Sequence, residues 1–513
     1  MDRFQRGPND CLSIRDGRLF LEDRGATELA DTFGTPLYAI SENRLRQNVR
    51  EYREAFSRLW PEGRVDILPA VKANWIPALR KILTQEGAGC DVYSAGELHA
   101  ALSSGADPEK ISVNGGGKSP EHIENCIRAG VRITMDDTDE FDLVEAAAAR
   151  VGKKARVRFR LKPDLPNLWK PTAFSLELVP IDLGVQAYKN GIPTEHVIPL
   201  GRRVLTSEHV ELTGFHLHLG RHHAGADYWR GAMTRYARLM GELKEAWGGY
   251  EPREIDVGGG IPSLRDPFAG MWNRSETPLF AAFWAVAAGL RVLGERTRYR
   301  ILSAAFAAFL KKEPNRKLRP PIQDYAEAIT SALRRELLKN NIPVQGITLQ
   351  IEPGRSLYGD AGIHLARVLK VKRQTRPIPW NWVLLDTTCF FLAGGVLEAN
   401  LHDFVVADKA EAPPVMTADI VGRSCFADRI LPEVRVPDVA PGDVLALLDT
   451  GAYQEVSASN FNALPRPATI LVNGSEAEVI RRAESLADVF SRDVLPERFR
   501  DGEKHPLGEP GKW

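Results

Sequence analysis

From Thr35 to about Ala366 the sequence alternates short apolar runs with longer amphipathic segments, and this rhythm constrains the fold more than any other feature of the chain. The strand-like runs are Leu37–Ile40, Asp66–Val71, Ile111–Val113, Arg132–Met135, Arg156–Leu161, Phe215–Leu219, Glu254–Val257 and Ile347–Ile351. Helical patterns fall between them at Glu42–Trp60, Ile76–Glu86, Ala95–Leu102, Pro120–Ala129 and Tyr228–Trp247. Strands alternating with helices make parallel βα units, and eight such strands predict a closed α/β barrel of the (β/α)8 TIM type. Periodicity alone leaves an open doubly wound sheet as the alternative.

After about Leu369 the helical period fades. Trp382–Leu385, Phe404–Val406, Asp419–Val421, Asp443–Leu448 and Ala468–Val472 read as strands punctuated by Pro413-Pro414, Pro437 and Pro441-Gly442. That pattern predicts a C-terminal all-β domain. The expected organisation is an N-terminal β segment (1–34) joining the C-terminal domain, a barrel (35–368) with an insertion near 264–319, a β domain (369–495) and a loose polar tail (496–513).

Composition excludes several classes. Lys plus Arg and Asp plus Glu both number 67, so the chain lacks the basic excess of a nucleic-acid binder. The longest uncharged run, Thr277–Leu290, has 14 residues, short of the roughly 20 that cross a bilayer. The five cysteines (Cys11, Cys90, Cys126, Cys389, Cys425) form no CxxC pair, so neither a disulfide framework nor a thiolate zinc site is expected. With no secretory-type apolar stretch at the N-terminus, the expected location is cytoplasmic.

Four barrel strands run into chemically useful residues: Asp66–Val71 into Lys72, Gly214–His218 toward Gly220, Glu254–Val257 into Gly258-Gly259-Gly260, and Leu349–Ile351 into Glu352-Pro353-Gly354-Arg355. In a (β/α)8 barrel such positions share the mouth where active sites are built. Alone, each has a bland reading. Lys72 is a solvated loop lysine, the glycines a tight turn, Glu352 and Arg355 a surface ion pair. Together they supply an amine for a Schiff base, backbone N–H groups for a phosphate and a carboxylate for a ring nitrogen, the equipment of a pyridoxal phosphate enzyme.

Ala70-Val71-Lys72-Ala73-Asn74, Cys90–Leu98, Lys189-Asn190-Gly191-Ile192, Gly214–Gly220, Asp256–Gly260, Glu352–Arg355, Gly451-Ala452-Tyr453 and Ser459–Asn462 closely resemble the fold-type III pyridoxal phosphate decarboxylases. This is the diaminopimelate, ornithine and arginine decarboxylase group, built like alanine racemase. The resemblance spans about Thr35 to Asn462 in the family's order. It implies pyridoxal 5'-phosphate as cofactor and Lys72 as the Schiff-base lysine. His218 would stack on the ring, and Glu352 would keep the ring nitrogen protonated. Gly258, Gly259, Gly260, Gly354, Arg355 and Tyr453 would hold the phosphate. Cys425, in Gly422-Arg423-Ser424-Cys425, would cross from the partner subunit of a homodimer to protonate the carbanion. Read without the motif, Cys425 is a small buried hydrophobe.

The departures bear on the substrate, expected to be an amino acid. Arg221 stands where the family usually has Ser, and Phe426 where decarboxylases commonly carry an acid after the cysteine. The family's Arg-Pro-x-x-Tyr segment corresponds to Gly394–Glu398. The 88 residues from Pro262 to Leu349 exceed the family's interval and include a basic cluster (Lys311, Lys312, Arg316, Lys317, Arg319). They read as a surface elaboration or, more sharply, as a lid or enlarged dimer contact. His216, His218, His222 and His223 crowd together, but no acid or thiolate sits at helpful spacing, so no metal is expected. An amino-acid racemase on the same scaffold and a catalytically silent regulator are the rival readings. Cys425 argues against the first, and Lys72, Glu352 and Tyr453 argue against the second.

Overall fold

The computed structural model describes residues 11–163, 189–220, 225–263, 289–294, 297–298, 300–301, 319–376, 380–393 and 402–499. Two compact units emerge, one built on Arg44–Phe283 with Glu313–Asp360 and the other on the flanking segments.

The first unit is the barrel. Its strands are β1 (Val65–Ile67), β2 (Cys90–Val92), β3 (Ile111–Val113), β4 (Arg132–Met135), β5 (Ala155–Arg160), β6 (Val210–His216), β7 (Glu254–Asp256) and β8 (Thr348–Ile351). All pair in parallel, in the order β1-β8-β7-β6-β5-β4-β3-β2. A parallel bridge between Ala70 and Asp91 joins β2 to the chain just beyond β1 and draws the two ends of this order together. The short strands are buried on both faces, as parallel sheets covered by helices require.

Local chemistry starts and stops the helices. In Pro120–Ala129, Ser119 Oγ accepts the His122 N–H, proline occupies the first turn, and Gly130 ends the helix in the left-handed conformation. Ala95–Ser103 begins the same way, with Ser94 Oγ accepting the Glu97 N–H. These caps fix where each strand's trailing loop turns back from the barrel mouth.

The barrel interior departs from an apolar filling. Arg158 of β5 and Asp256 of β7 are fully buried and paired at 2.8 Å, and Arg158 also donates to Gln350 of β8 and to Ser112 and Thr134 of β3 and β4. A buried pair offsets its desolvation only with such additional hydrogen bonds.

The second unit is β-rich. The long strand Gly362–Gln374 pairs antiparallel with Leu37–Ile40, Val444–Leu448 and Trp380–Leu385. Leu37–Ser41 also pairs in parallel with Ala468–Val472, and Trp380–Leu385 leads on to Met416–Val421 and Arg429–Val436. The N-terminal strands Leu12–Arg15, Arg18–Leu21 and Arg24–Gly25 and the helix Ala26–Phe33 pack Leu12, Leu21 and Leu29 into the same core as Leu37, Ile363 and Leu448. The N-terminal segment therefore joins the β domain.

One strand assignment from sequence is corrected. Leu37–Ile40 belongs to this second sheet, and the eighth barrel strand is the three-residue Cys90–Val92. A run of four apolar residues satisfies either kind of strand, so only its partners decide. The insertion from Leu264 onward, the segment Gly394–Glu398, Arg221, His222 and His223 lie outside the described residues, apart from short stretches after 288.

At Gly214 in β6 an added Cβ would sit 1.9 Å from the carbonyl oxygen of Glu254 in β7. Gly214→Ala is therefore expected to force the two strands apart, costing about 2–3 kcal/mol. Calorimetry should show the barrel's thermal transition lowered by roughly 5 °C; an unchanged transition would show that the strands relax freely.

Candidate active site

Beyond β1, Leu68–Ala70 continue to a single turn, Val71–Ala73, which lifts Lys72 to the barrel mouth. Its side chain is 45% exposed, yet Nζ lies 3.0 Å from Oδ2 of Asp91, which is buried in β2. The opposite oxygen of Asp91 accepts from Asn114, the residue after β3, at 2.7 Å. The same Asn114 amide nitrogen donates to Oε1 of Glu352, also at 2.7 Å. Glu352 follows β8, and its second oxygen meets Nε2 of His216, at the end of β6, at 3.2 Å. Residues trailing three barrel strands, with one within β2 and one at the end of β6, thus converge on one chain of contacts, Lys72–Asp91–Asn114–Glu352–His216.

The protonation states follow from burial. Glu352 is pushed up to about 7, first by burial and then by the Asp91 charge, against the pull of Lys72 and Arg158. Asp91 stays below the usual carboxylate range: burial opposes its charge, but Lys72 and the Asn114 hydrogen bond outweigh it. Burial lowers His216 to about 3, so the ring is neutral, and its Nε2 shares a hydrogen bond with Glu352. Asp256, raised to about 6 by burial and by Glu352, is steadied by Arg158. His216, Asp256 and Glu352 lie close enough for one ion to touch all three. Within the fold, however, the Arg158 guanidinium already answers the Asp256 charge.

The glycine turn sits beside this chain. Asp256 Oδ1 accepts the Gly258 N–H at 2.8 Å, and His218 Nδ1 accepts the Gly259 N–H at 3.1 Å. The second contact places the imidazole proton of His218 on Nε2. Burial and the nearby Arg160 and Lys72 hold this ring well below its ordinary pKa, hence neutral. Gly258 has φ +70°, and a Cβ there would lie 2.2 Å from the Leu217 carbonyl oxygen. At Gly259 a Cβ would lie 2.4 Å from the carbonyl oxygen of Glu352. The turn is glycine because the ends of the two flanking strands crowd it with backbone. Nearby, Gly354 leads into a four-residue helix that begins at the buried Arg355.

Cys425 and Tyr453 belong to the β unit. Cys425 is exposed; its N–H donates to Asn462 Oδ1 at 2.8 Å, and Asn462 Nδ2 donates to Sγ at 3.3 Å. Asn462 takes a left-handed φ of +59°, a conformation asparagine tolerates better than most residues. Buried Asp428 shapes the loop by accepting the N–H groups of Cys389 and Ser424 at 2.6 and 2.8 Å. Beside the thiol, Phe390 stacks on Phe461 at 4.2 Å and meets Phe426 edge-on at 5.7 Å. Phe426 is 58% exposed. Tyr453 also has a positive φ, +66°.

Residues 42–273 match the family model described as the pyridoxal-dependent decarboxylase, pyridoxal binding domain. Diaminopimelate decarboxylase of Methanocaldococcus jannaschii is 31% identical over 504 residues, covering 95% of this chain and 98% of the relative. The chain belongs to the pyridoxal-dependent decarboxylases. Diaminopimelate decarboxylase of Archaeoglobus fulgidus is 29% identical over 95% of this chain and 99% of its own. The crystal structure of the M. jannaschii enzyme in complex with L-lysine superposes with a TM-score of 0.78 at 27% identity, over 96% of this chain and 99% of that one. The protein is accordingly a pyridoxal phosphate-dependent amino-acid decarboxylase of fold type III.

The barrel mouth fits that cofactor. It pairs an accessible lysine with a buried carboxyl whose oxygens meet an amide and a neutral imidazole, an arrangement that can receive a cationic ring nitrogen. The glycine turn leaves no room for side chains beside it. Lys72, His218, Gly258–Gly260, Glu352 and Arg355 lie in the barrel unit.

Asp91 and His216 stood in the recognised motifs without an assigned role, and Arg158 and Asn114 carried no local signal. An Asn after a three-residue strand looks like any turn residue, and its partners lie 23 and 238 positions away. Arg158 sits in an alternating run, Arg156-Val157-Arg158-Phe159-Arg160, that reads equally as a strand with a solvated face.

Because Glu352 titrates near 7 in the fold and near 4.5 when free, the folded protein favours its protonated form. Its contribution to stability is full below about pH 4.5 and lost as pH rises through 7. The thermal midpoint of cofactor-free protein should therefore fall more steeply from pH 5 to pH 8 than that of Glu352→Gln. Parallel pH profiles for the two would refute the raised carboxyl.

Proposed function

We propose that this enzyme decarboxylates an α-amino acid at the barrel mouth, with Lys72 as the cofactor's covalent attachment point and Cys425 as the proton donor. The observation that carries the reading is the contact chain from Lys72 through Asp91 and Asn114 to Glu352, which sets an amine and a raised carboxyl in one site.

Bound pyridoxal phosphate supplies an electron-withdrawing ring that stabilises the electron pair left at Cα when CO2 departs. The chain's own residues prepare that step. Asp91 holds Nζ of Lys72 in place and answers its charge. Glu352, oriented by Asn114 and His216, would present its carboxyl to the ring nitrogen. His218, fixed through Nδ1, offers a neutral ring face rather than a competing cation. The Gly258–Gly260 turn with Gly354, Arg355 and Tyr453 would hold the phosphate. Cys425, positioned by Asn462, would deliver a proton to Cα from the partner subunit of a homodimer. The oriented thiol favours decarboxylation over racemisation, which needs acid/base groups on both faces of the ring.

The relatives act, by name, on diaminopimelate, whose second amino-acid head carries two charges. Here the residue after the cysteine is Phe426, one of three clustered phenylalanines. Phenyl rings offer such charges neither a hydrogen bond nor an ion pair. A bulkier or less charged distal group suits them better.

Lys72→Ala should abolish the cofactor's visible band near 420 nm and all activity while the protein still folds, with a lowered thermal transition because buried Asp91 loses its cationic partner. Borohydride labelling of a different lysine in the wild type would remove Lys72 from this role. CO2 release should be measured with meso-diaminopimelate, lysine, ornithine, arginine and aromatic amino acids. A specificity constant for diaminopimelate below that of the best alternative is expected; diaminopimelate clearly leading would overturn the reading of Phe426.

A further inference from the structure

We infer that Asn114 is a positioning residue that couples the two ends of the cofactor site, holding Asp91 and Glu352 apart as two separately hydrogen-bonded carboxyl groups. The inference rests on Lys72 being the cofactor's attachment point. A primary amide is suited to this place because one nitrogen carries two N–H donors, and here each is spent on a different carboxyl at 2.7 Å.

The amide cannot turn over. Its Oδ1 accepts from the Ser112 hydroxyl at 3.1 Å, and Ser112 in turn takes a hydrogen bond from Arg158. Reversing the amide would set its oxygen against two carboxyls and leave Ser112 facing a donor. The backbone is pinned as well, with the Asn114 N–H donating to Val92 O at 2.8 Å. Asn114 is 5% exposed, so water does not substitute readily. A relay therefore runs from the guanidinium in the barrel interior, through a hydroxyl and an amide, to the carboxyl of Asp91 beside Lys72 and the carboxyl of Glu352.

Without the amide, two carboxyl groups would face each other across a gap with no donor between them. The proton that already favours Glu352 below about pH 7 would be held more tightly and shared with Asp91. Asp91 would then lose part of its charge beside Lys72, and Glu352 would be held in a pair with Asp91 instead of facing the ring. The surrounding charged and titratable groups are Arg158, Arg160, His216, His218, Asp256 and Glu97. They stay in place in the variants below, so differences between variants report on the bridge.

The test is a double-mutant cycle read in the pH midpoint of the holoenzyme's visible band, with cofactor dissociation as a second readout. Asn114→Ala is expected to lower the midpoint by about one pH unit, because less negative charge supports a proton on the Lys72 nitrogen. It should also weaken cofactor binding roughly tenfold. In a Glu352→Gln background, where no second carboxyl remains, the same substitution should move the midpoint by roughly a third of that or less. Equal shifts in both backgrounds, or no shift in either, overturn the bridge while leaving Lys72 in its role. A wild-type holoenzyme without any such band would instead overturn the assignment of Lys72. Should Asn114→Ala fold poorly, Asn114→Thr takes its place under the same criterion.

Discussion

The parallel seam at which the barrel closes is the constraint on which the site depends. Eight strands in register leave two ends, and the Ala70–Asp91 bridge draws them together. That bridge seats an aspartate directly beside the chain leading to Lys72, and β8, paired on the other side of β1, delivers Glu352. Amine, counterion and a second buried carboxyl are brought together by backbone pairing before any side chain chooses a rotamer. The three-residue strands suffice because each needs only to hold register and end at the mouth.

Closure also concentrates charge in a low-dielectric space, and the interior network manages it. Arg158 is the only guanidinium touching both Asp256 and Ser112 among the described residues, and its charge moderates the whole group. Asp256 uses one oxygen for Arg158 and the other to shape the glycine turn. Glu352, further from Arg158 and bonded only to neutral groups, is left with a raised pKa. Burial thus raises both carboxyls, and they differ in their partners: Asp256 is paired with the guanidinium, whereas Glu352 faces the Asp91 charge.

Sequence pattern reached the fold class because parallel strands leave continuous apolar runs, and it reached Lys72, Glu352 and the glycine turn because each follows such a run directly. It failed where local signal is short or shared. Cys90–Val92 has only three residues, and Leu37–Ile40 fits either sheet. The strand Gly362–Gln374 was missed because its second half, Leu369–Gln374, is mostly polar and exposed. Asn114 and Arg158 are legible only once β3, β5 and β8 are adjacent. Their roles consist of reaching across strands, so no window along the chain contains them. The placement of Phe426 among Phe390 and Phe461 likewise joins three separate loops, although its departure from the acid of the family motif was already readable.

The parallel pairing of Leu37–Ser41 with Ala468–Val472 has a consequence for how the chain is made. During synthesis the early strand emerges more than 300 residues before its first partner, Gly362–Leu365, and more than 400 before its second. The barrel's strands all lie between, so the ribosome completes them while the N-terminal strand still has an unpaired edge. Non-local pairing of this kind is slow, and a waiting apolar edge invites the wrong neighbour. A chain stopped short of residue 468 would keep every barrel strand and still expose one edge of Leu37–Ser41. For this protein, a strand near the end of the chain, Ala468–Val472, decides whether the first strand made of the second sheet is ever fully covered.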